Sequence, residues 1–319
     1  MLSIGIDLGG TNIKSALIHR DEGIIAQDSV PTDAGRGPDY VLDRIAESVQ
    51  NTRNKATEDP VGIGIGSPGI ISLDRTTVSN PPNLPGWDVV NVNEELKKRT
   101  GLDAVVENDA NLMALGSSRY GEGQDLDSLI MLTLGTGVGG GIIINRELYR
   151  GATGAAAELG HVIINFDGPS SNSKAKGGVE AYIGQRFLIR NALPLIKKHP
   201  DNTLAKEYLD KPEALEPVHL SREADRGNNL AVQILSEAGR MLGYAIVNYI
   251  HILDIRNIIV SGGVAKAGDW ILEPARAAAR ERLLPPYLEG FQLSYESLGN
   301  DAALLGAGSL AFELLANHR

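Results

Sequence analysis

At 319 residues, the chain is long enough for two domains with separate cores or for one large α/β unit. Its 30 basic and 40 acidic side chains give a net charge of −10, and no run of Lys or Arg offers the stripe on which a nucleic-acid backbone is held. The absence of cysteine excludes disulfides and thiolate metal sites, and no apolar run approaches the length that a bilayer requires. The chain opens directly in MLSIGIDLGG, strand and turn at once, without a charged leader or cleavage site. A soluble, cytoplasmic protein with no nucleic-acid or membrane partner is therefore expected.

In chain order, residues 3–7 and 13–18 read as strands flanking a Gly turn. Apolar spacing at Val41, Leu42, Ile45 and Val49 predicts a helix over 40–54, followed by a buried strand over 61–66. A short helix over 93–100, a strand over 104–107 and a helix over 111–120 continue the βαβ rhythm of an α/β layered domain. The stretch GEGQDLDS, 121–128, is a Gly- and acid-rich joint and the expected boundary between domains 1–120 and 121–300. Beyond it the pattern predicts a hairpin over 129–133 and 141–144, helices near 180–197 and 203–209, and one long amphipathic helix covering most of 222–251. The stretch KPEALEPV, 211–218, reads as a connector. A strand over 258–261, a helix over 271–284 and an apolar helix over 301–316 complete the chain.

Two segments echo each other. IGIDLGGTNIKSALI (4–18) and IMLTLGTGVGGGIII (130–144) superpose at an offset of 126, which sets Gly9 over Gly135. Both are strand, Gly-rich turn, strand. Either the chain contains two copies of one α/β unit facing a cleft, with both turns aimed at a polyphosphate, or a common hairpin pattern recurs by chance.

Several short motifs carry candidate chemistry. In DLGGTN (7–12), Gly9, Gly10 and Thr11 offer backbone N–H groups, Thr11 and Asn12 add side-chain donors, and Asp7 could orient Mg²⁺ through water. The alternative is a tight hairpin turn with a solvated Asp. LGTGVGGG (134–141) supplies a matching turn. GxGxxG occurs at Gly135, Gly137 and Gly140 and again at Gly64, Gly66 and Gly69, but neither match opens a helix, and no GxxxxGK[ST] is present. A Rossmann dehydrogenase and a P-loop enzyme are disfavoured. IIVSGGVA (258–265) ends a strand in Gly262 and Gly263, a turn that suits the flat face of an adenosine or simple packing. VENDANLMAL (106–115) places Asn108 and Asp109 where a strand ends and a helix starts, so Asp109 is either a helix cap or a general base. Glu158, His161 and Glu180 lie in the stretch AELGHVIINFDGPSSNSKAKGGVEAY, 157–182; a lone His reads as a core histidine with a hydrogen-bond partner, but with two Glu nearby the set suits forked hydrogen bonds to sugar hydroxyls. The remaining histidines at 19, 199, 219, 251 and 318 lack ligand spacing and read as surface or packing residues.

These motifs in this order resemble the ROK family of sugar kinases and repressors, within the actin-like ATPase superfamily. GIDLGGTNIK is similar to its first phosphate motif, GIGSPG and NPPNLPGW to its sugar loops, and ENDANLMALG to its catalytic motif. LTLGTGVGGGIIINRELYRGATGAAAELGH resembles its second phosphate motif and signature, and IIVSGGVA its adenosine motif. The resemblance runs nearly end to end and favours the duplicated-hairpin reading.

It implies two actin-like, ribonuclease H-like α/β domains flanking a cleft, the final segment 301–319 joining the N-terminal one. It implies ATP held by Asp7, Gly9, Gly10, Thr11, Asn12 and Lys14, by Thr133, Gly135, Thr136 and Gly137, and by Gly262 and Gly263, with Mg²⁺ near Asp7. Asp109 would take the proton of a hexose hydroxyl, and Gly69, Asn83, Asn108, Glu158, His161 and Glu180 would hold the sugar. Glucose to glucose 6-phosphate is the leading expectation, in a homodimer. Fructose, N-acetylmannosamine, N-acetylglucosamine and allose are alternatives, as are polyphosphate as donor and a non-catalytic sugar sensor. Family repressors carry an N-terminal winged helix, for which a first motif within five residues of Met1 leaves no room. Many members also bind zinc through the signature His and a C-x-C-G-x-x-G-C-x-E loop, whose Cys positions here fall on Ser171, Ser173 and Gly178. Serine does not replace thiolate on zinc, so no structural zinc is expected.

Overall fold

The structure, a computed structural model, describes residues 1–173 and 176–316. The first part of the chain forms β1 (Leu2–Leu8), β2 (Asn12–His19), β3 (Gly23–Pro31), α1 (Pro38–Arg53), β4 (Ile63–Ser67), β5 (Ile70–Ile71), β6 (Thr77–Ser79), β7 (Val89–Asn91), α2 (Val92–Thr100), β8 (Ala104–Asn108) and α3 (Asp109–Tyr120). Then come β9 (Leu129–Leu134), β10 (Val138–Ile144), β11 (Glu147–Leu148), α4 (Glu180–Ile183), α5 (Gln185–Lys197), α6 (Thr203–Tyr208), α7 (Pro217–Asp225) and α8 (Asn229–Leu253). The chain closes with β12 (Asn257–Ser261), α9 (Asp269–Arg282), β13 (Gln292–Tyr295) and α10 (Asp301–Leu315). His318 lies outside the described residues.

Two sheets have one topology. The first runs β3-β2-β1-β4-β8 and the second β11-β10-β9-β12-β13. In the first, β1 is antiparallel to β2 and parallel to β4, which is parallel to β8. In the second, β12 is parallel to both β9 and β13. Strand for strand, β1 corresponds to β9, β2 to β10, β4 to β12 and β8 to β13. The echo between 4–18 and 130–144 thus belongs to a whole repeated sheet, which makes chance recurrence of a hairpin the weaker explanation.

The chain divides into two compact units: Met1–Ser128 with Gly141–Ala157 and the segment from Leu298 onward, and Leu129–Gly140 with Glu158–Ser297. In the first, Ile4, Ile6, Val41, Leu42, Ile45 and Trp87 are among the residues that build a core between the sheet and α1. The other face of β1 and β4 is covered by α10 at backbone contact. A Cβ on Gly5 would stand 2.2 Å from the Leu304 carbonyl oxygen, and one on Gly64 1.8 Å from that of Ala307, so both strands need glycine there. In the second unit, α8 and α9 approach equally closely at Gly239, where a Cβ would stand 2.3 Å from the Ile271 carbonyl oxygen.

Three expectations need correction. The single helix over 222–251 is two, α7 and α8. Gly227 adopts a left-handed φ of 82°, and the Asn228 side chain then caps α8 by accepting from the N–H groups of Leu230 and Ala231. The connector over 211–218 already includes the start of α7 at Pro217. By length and composition, α8 also qualifies as a membrane-crossing helix, although 61% of its apolar stretch is buried inside the protein, as for a core helix. The strand pattern also missed β3, β5–β7, β11 and β13. In β3 the solvent-facing Gln27 and Ser29 and its Asp28 are poor strand formers, carried by pairing to β2.

Candidate active site

In the first unit the candidate residues gather at the carboxyl ends of β1, β4 and β8. Asp7 lies one residue before the end of β1, opposite Lys14 on β2 and Gly66 on β4. The 9–12 turn between β1 and β2 is held by its own backbone, Gly9 N to Asn12 O at 3.1 Å. A hydroxyl on the neighbouring strand segment reinforces it: Thr32 donates to the Gly9 carbonyl oxygen at 2.6 Å. Thr11 and Asn12 are exposed. Gly69 has a φ of 98°, and a Cβ there would stand 2.9 Å from the Pro81 Cα, so the loop after β4 leans on the 80–83 segment. That segment reaches the 9–12 turn, since a Cβ on Gly10 would stand 3.0 Å from the Asn83 Cβ.

The end of β8 separates the two readings of its acid. Asn108, not Asp109, is the cap of α3, its Oδ1 accepting from the N–H groups of Ala110 at 3.0 Å and Asn111 at 3.3 Å. Asp109 is the first residue of the helix and its side chain is open to solvent. The chain around it nevertheless desolvates the carboxyl and pushes its pKa above the usual range, while the Ala110 N–H at 2.9 Å pulls partly back. Asp7 is raised as well: burial comes first, Lys14 opposes it, and the Asp109 charge adds to the rise.

In the second unit Thr133 lies on β9, and Gly135, Thr136 and Gly137 form the turn to β10, with Gly135 N bonded to Gly137 O at 3.0 Å. Glu180, first residue of α4, presses against this turn. Its Oε2 accepts from Val138 N at 3.2 Å, and a Cβ on Gly137 would stand 2.3 Å from that oxygen. Gly262 has a φ of 98°, and its missing Cβ would stand 2.4 Å from the Leu134 carbonyl oxygen. Gly135 and Gly263 differ: neither needs a left-handed backbone, and a Cβ on either would meet open space.

Glu158 precedes and His161 ends a short 3-10 turn, with His161 Nε2 3.7 Å from Glu158 Oε2 and both side chains exposed. At the positions of the zinc cysteines, Ser171 and Ser173 place their hydroxyls 3.2 Å apart and Gly178 pairs with Ile163 in a two-strand bridge. Gly177 donates to Pro169 O at 2.7 Å, Arg190 Nη1 donates to Ser170 O at 2.7 Å, and the Asn165 amide donates to the Tyr182 hydroxyl at 3.1 Å. These bonds tie residues 165–170 to Gly177, Tyr182 and Arg190. Among the described residues no three His, Cys, Asp or Glu side chains converge as a metal cage. Of the other histidines, His219 stacks on Tyr208 and His251 meets Tyr287 edge-on, both packing roles.

The sequence pattern missed Thr32, the Val138 N–H as the partner of Glu180, and a buried Glu107 beside Arg75 and Arg150. For Glu107 a signal existed: a carboxylate inside the apolar strand AVVEN needs a buried partner.

The ROK family profile matches residues 3–313. The chain belongs to the ROK family. Within it, the glucokinase of Thermotoga maritima is 34% identical over 310 residues, 97% of each chain. A crystal structure of a ROK glucokinase from Streptomyces griseus, in complex with glucose and AMPPNP, is 33% identical and covers 98% of this chain and 100% of its own, with a TM-score of 0.81. The family's other branch is also near: the xylose repressor of Caldicellulosiruptor bescii is 28% identical over 307 residues, 95% of this chain and 76% of the repressor. The ROK assignment carries with it the two-domain actin-like fold, in agreement with the duplicated sheets.

Proposed function

We propose that the protein is an ATP-dependent sugar kinase that converts glucose to glucose 6-phosphate. The observation that carries this reading is Asp109: Asn108 caps the helix, and the Asp109 carboxylate, bonded to the Ala110 N–H, sits where β8 gives way to α3 with a raised pKa. Its likeness to glucokinases over the whole chain, and to one solved with glucose and an ATP analogue, supports glucose and ATP as substrates.

In this reading Asp109 accepts the proton of the sugar hydroxyl as that oxygen attacks the γ-phosphorus. The bond to the β–γ bridging oxygen breaks and ADP leaves. The turns at 9–12 and 135–137 hold phosphates through backbone N–H groups, with Lys14, Thr133 and Thr136 beside them, and Gly262 and Gly263 receive the adenosine. Asn108, through its amide N–H₂, joins Gly69, Asn83, Glu158, His161 and Glu180 in holding the sugar. Asp7 is half-buried with a single acidic neighbour, which fits an outer contact through water better than a protein cage. Mg²⁺ bound there with the nucleotide would neutralise the phosphate charge. We further assign the protein to cytoplasmic sugar metabolism, as a homodimer without structural zinc.

A coupled ATP-turnover assay over a panel of hexoses, with Asp109→Asn alongside, tests the proposal. Turnover with glucose and a loss of roughly 10²–10⁴-fold in the variant are expected. Glucose binding without turnover on any sugar would favour a sensor, and a near-normal rate for Asp109→Asn would remove the base. One equivalent of zinc in the purified protein would refute the zinc-free assignment.

A further inference from the structure

Directly behind Asp109 sits a carboxylate that the proposed chemistry leaves unused. Glu107, two residues earlier on β8, has no exposed surface. Its Oε1 accepts from the Asn108 N–H at 2.9 Å and from the Asn111 side-chain amide at 3.1 Å, so it grips the first turn of α3. Its Oε2 accepts from Arg75 Nε at 3.1 Å and lies 2.7 Å from Arg150 Nε, a contact that is ionic rather than a directed hydrogen bond.

The two arginines extend the reach of this carboxylate. Arg150 donates through Nη1 to Leu73 O at 2.8 Å and through Nη2 to Ser72 O at 2.9 Å. Arg75 sits in the same turn with a left-handed φ of 59°, and its carbonyl accepts from Val106 N at 2.9 Å. That turn joins β5 to β6; β5 begins next to Gly69, and β6 leads into the 80–83 segment that meets Gly10. One buried group therefore ties together the start of the helix that bears Asp109, the hairpin between Gly69 and Asn83, and the segment before Gly151.

Buried ion pairs are a poor route to stability, since well-packed apolar groups of the same volume do as well or better. What this arrangement supplies is direction. The fork of Arg150 spans two carbonyls and a carboxylate at once, a geometry that Lys cannot reproduce. We propose that Glu107, with Arg75 and Arg150, is a positioning centre that holds the base Asp109 and the Gly69–Asn83 sugar loops in one frame. The proposal rests on the kinase reading above. With the frame loosened, the sugar hydroxyl and Asp109 lose alignment, and the γ-phosphoryl group is lost more often to water.

The test compares Glu107→Gln, Arg75→Asn and Arg150→Lys with wild type, each first checked for a cooperative thermal transition. Arg75→Asn removes one guanidinium while suiting the left-handed backbone, and Arg150→Lys keeps the charge but loses the fork, so these two carry the test if Glu107→Gln fails to fold. ADP and sugar phosphate are then quantified in the same reactions. The expected result is a kcat for sugar phosphorylation lowered on the order of 10–100-fold, a KM for ATP within about threefold of wild type, and more ADP formed per sugar phosphate. A purely structural role lowers both products together with the folded fraction and leaves their ratio alone. Folded Arg75→Asn and Arg150→Lys variants with wild-type kcat and product ratio would overturn the positioning role. A wild-type enzyme inert toward every sugar would overturn the kinase reading beneath it.

Discussion

The two repeats share a topology but have divided the chemistry between them. At the offset of 126 that aligns their hairpins, Asp7 corresponds to Thr133 and Lys14 to Gly140. The first hairpin keeps charge at its strand ends and holds its turn by backbone and a neutral hydroxyl, Thr32 on Gly9 at 2.6 Å. The second hairpin is uncharged, and its turn is fastened by a carboxylate from far along the chain, Glu180 on Val138 N at 3.2 Å. The first turn only packs against a candidate sugar residue, Asn83 at Gly10, whereas the second is hydrogen-bonded to one. Sugar and nucleotide affinities should separate in mutants of the first turn and move together in mutants of the second.

The largest expected effect is that of Glu180→Ala. Removing a charged acceptor costs about 1.5–3 kcal/mol, on the order of 10–100-fold in affinity, and here one side chain serves the turn and, in our reading, the sugar. Calorimetric titration should show both glucose and a non-hydrolysable ATP analogue binding more weakly, with Glu180→Gln intermediate because its amide oxygen can still accept from Val138. Weaker glucose binding with an unchanged nucleotide affinity would break the comparison.

Gly137→Ala should come next. Its new Cβ would press on the mobile tip of a side chain, Glu180 Oε2, which can swing aside, so the fold survives while Glu180 moves. A rise of roughly tenfold in the KM for glucose at nearly unchanged Tm is expected, although in our reading the residue belongs to a turn that holds phosphate. Gly262→Ala is the control. Its Cβ would meet the Leu134 backbone at a left-handed φ, so the cost should appear as lost stability, about 1–3 kcal/mol or more, seen as a lower Tm.

The contrast between the turns was only half legible in the sequence. Strand–Gly–strand at a fixed offset revealed two hairpins, because Ile4, Ile6 and Leu8 and their counterparts keep a strong apolar pattern whatever the turns do. The 3.6 period likewise placed α1 through Val41, Leu42, Ile45 and Val49. How each turn is held was not legible, since Thr32 and Glu180 reach it across 23 and 42 residues through contacts that no local spacing encodes. The same holds for Glu107: its burial could be suspected from AVVEN, but Arg150 lies beyond a whole hairpin. The helix over 222–251 failed for the opposite reason, a local one. Arg226-Gly227-Asn228 lies within a continuous apolar pattern, and the left-handed Gly with its Asn cap outweighed periodicity.

On the first-turn side, Thr32→Val should have a modest effect. It deletes one neutral hydrogen bond with little change of shape, worth about 1 kcal/mol, or roughly fivefold in the KM for ATP. The KM for glucose should not move; if it rises in step, the first turn is coupled to the sugar after all.

The smallest effect separates the two repeats by pH rather than by affinity. Asp7 and Asp109 both have pKa values raised in the folded protein, so the native state binds their protons more tightly than the unfolded chain does. Stability therefore falls as pH rises from the unfolded carboxylate value through the folded one, and above that window the ionised pair opposes folding. Asp109→Asn removes one of the two charges at the ends of β1 and β8. Differential scanning calorimetry should accordingly find this variant no less stable than wild type at neutral pH, with a Tm difference that closes in acid as wild-type Asp109 takes up its proton. A variant less stable at every pH would mean that the Asp109 carboxylate is a structural acceptor for the Ala110 N–H first and a strained acid second.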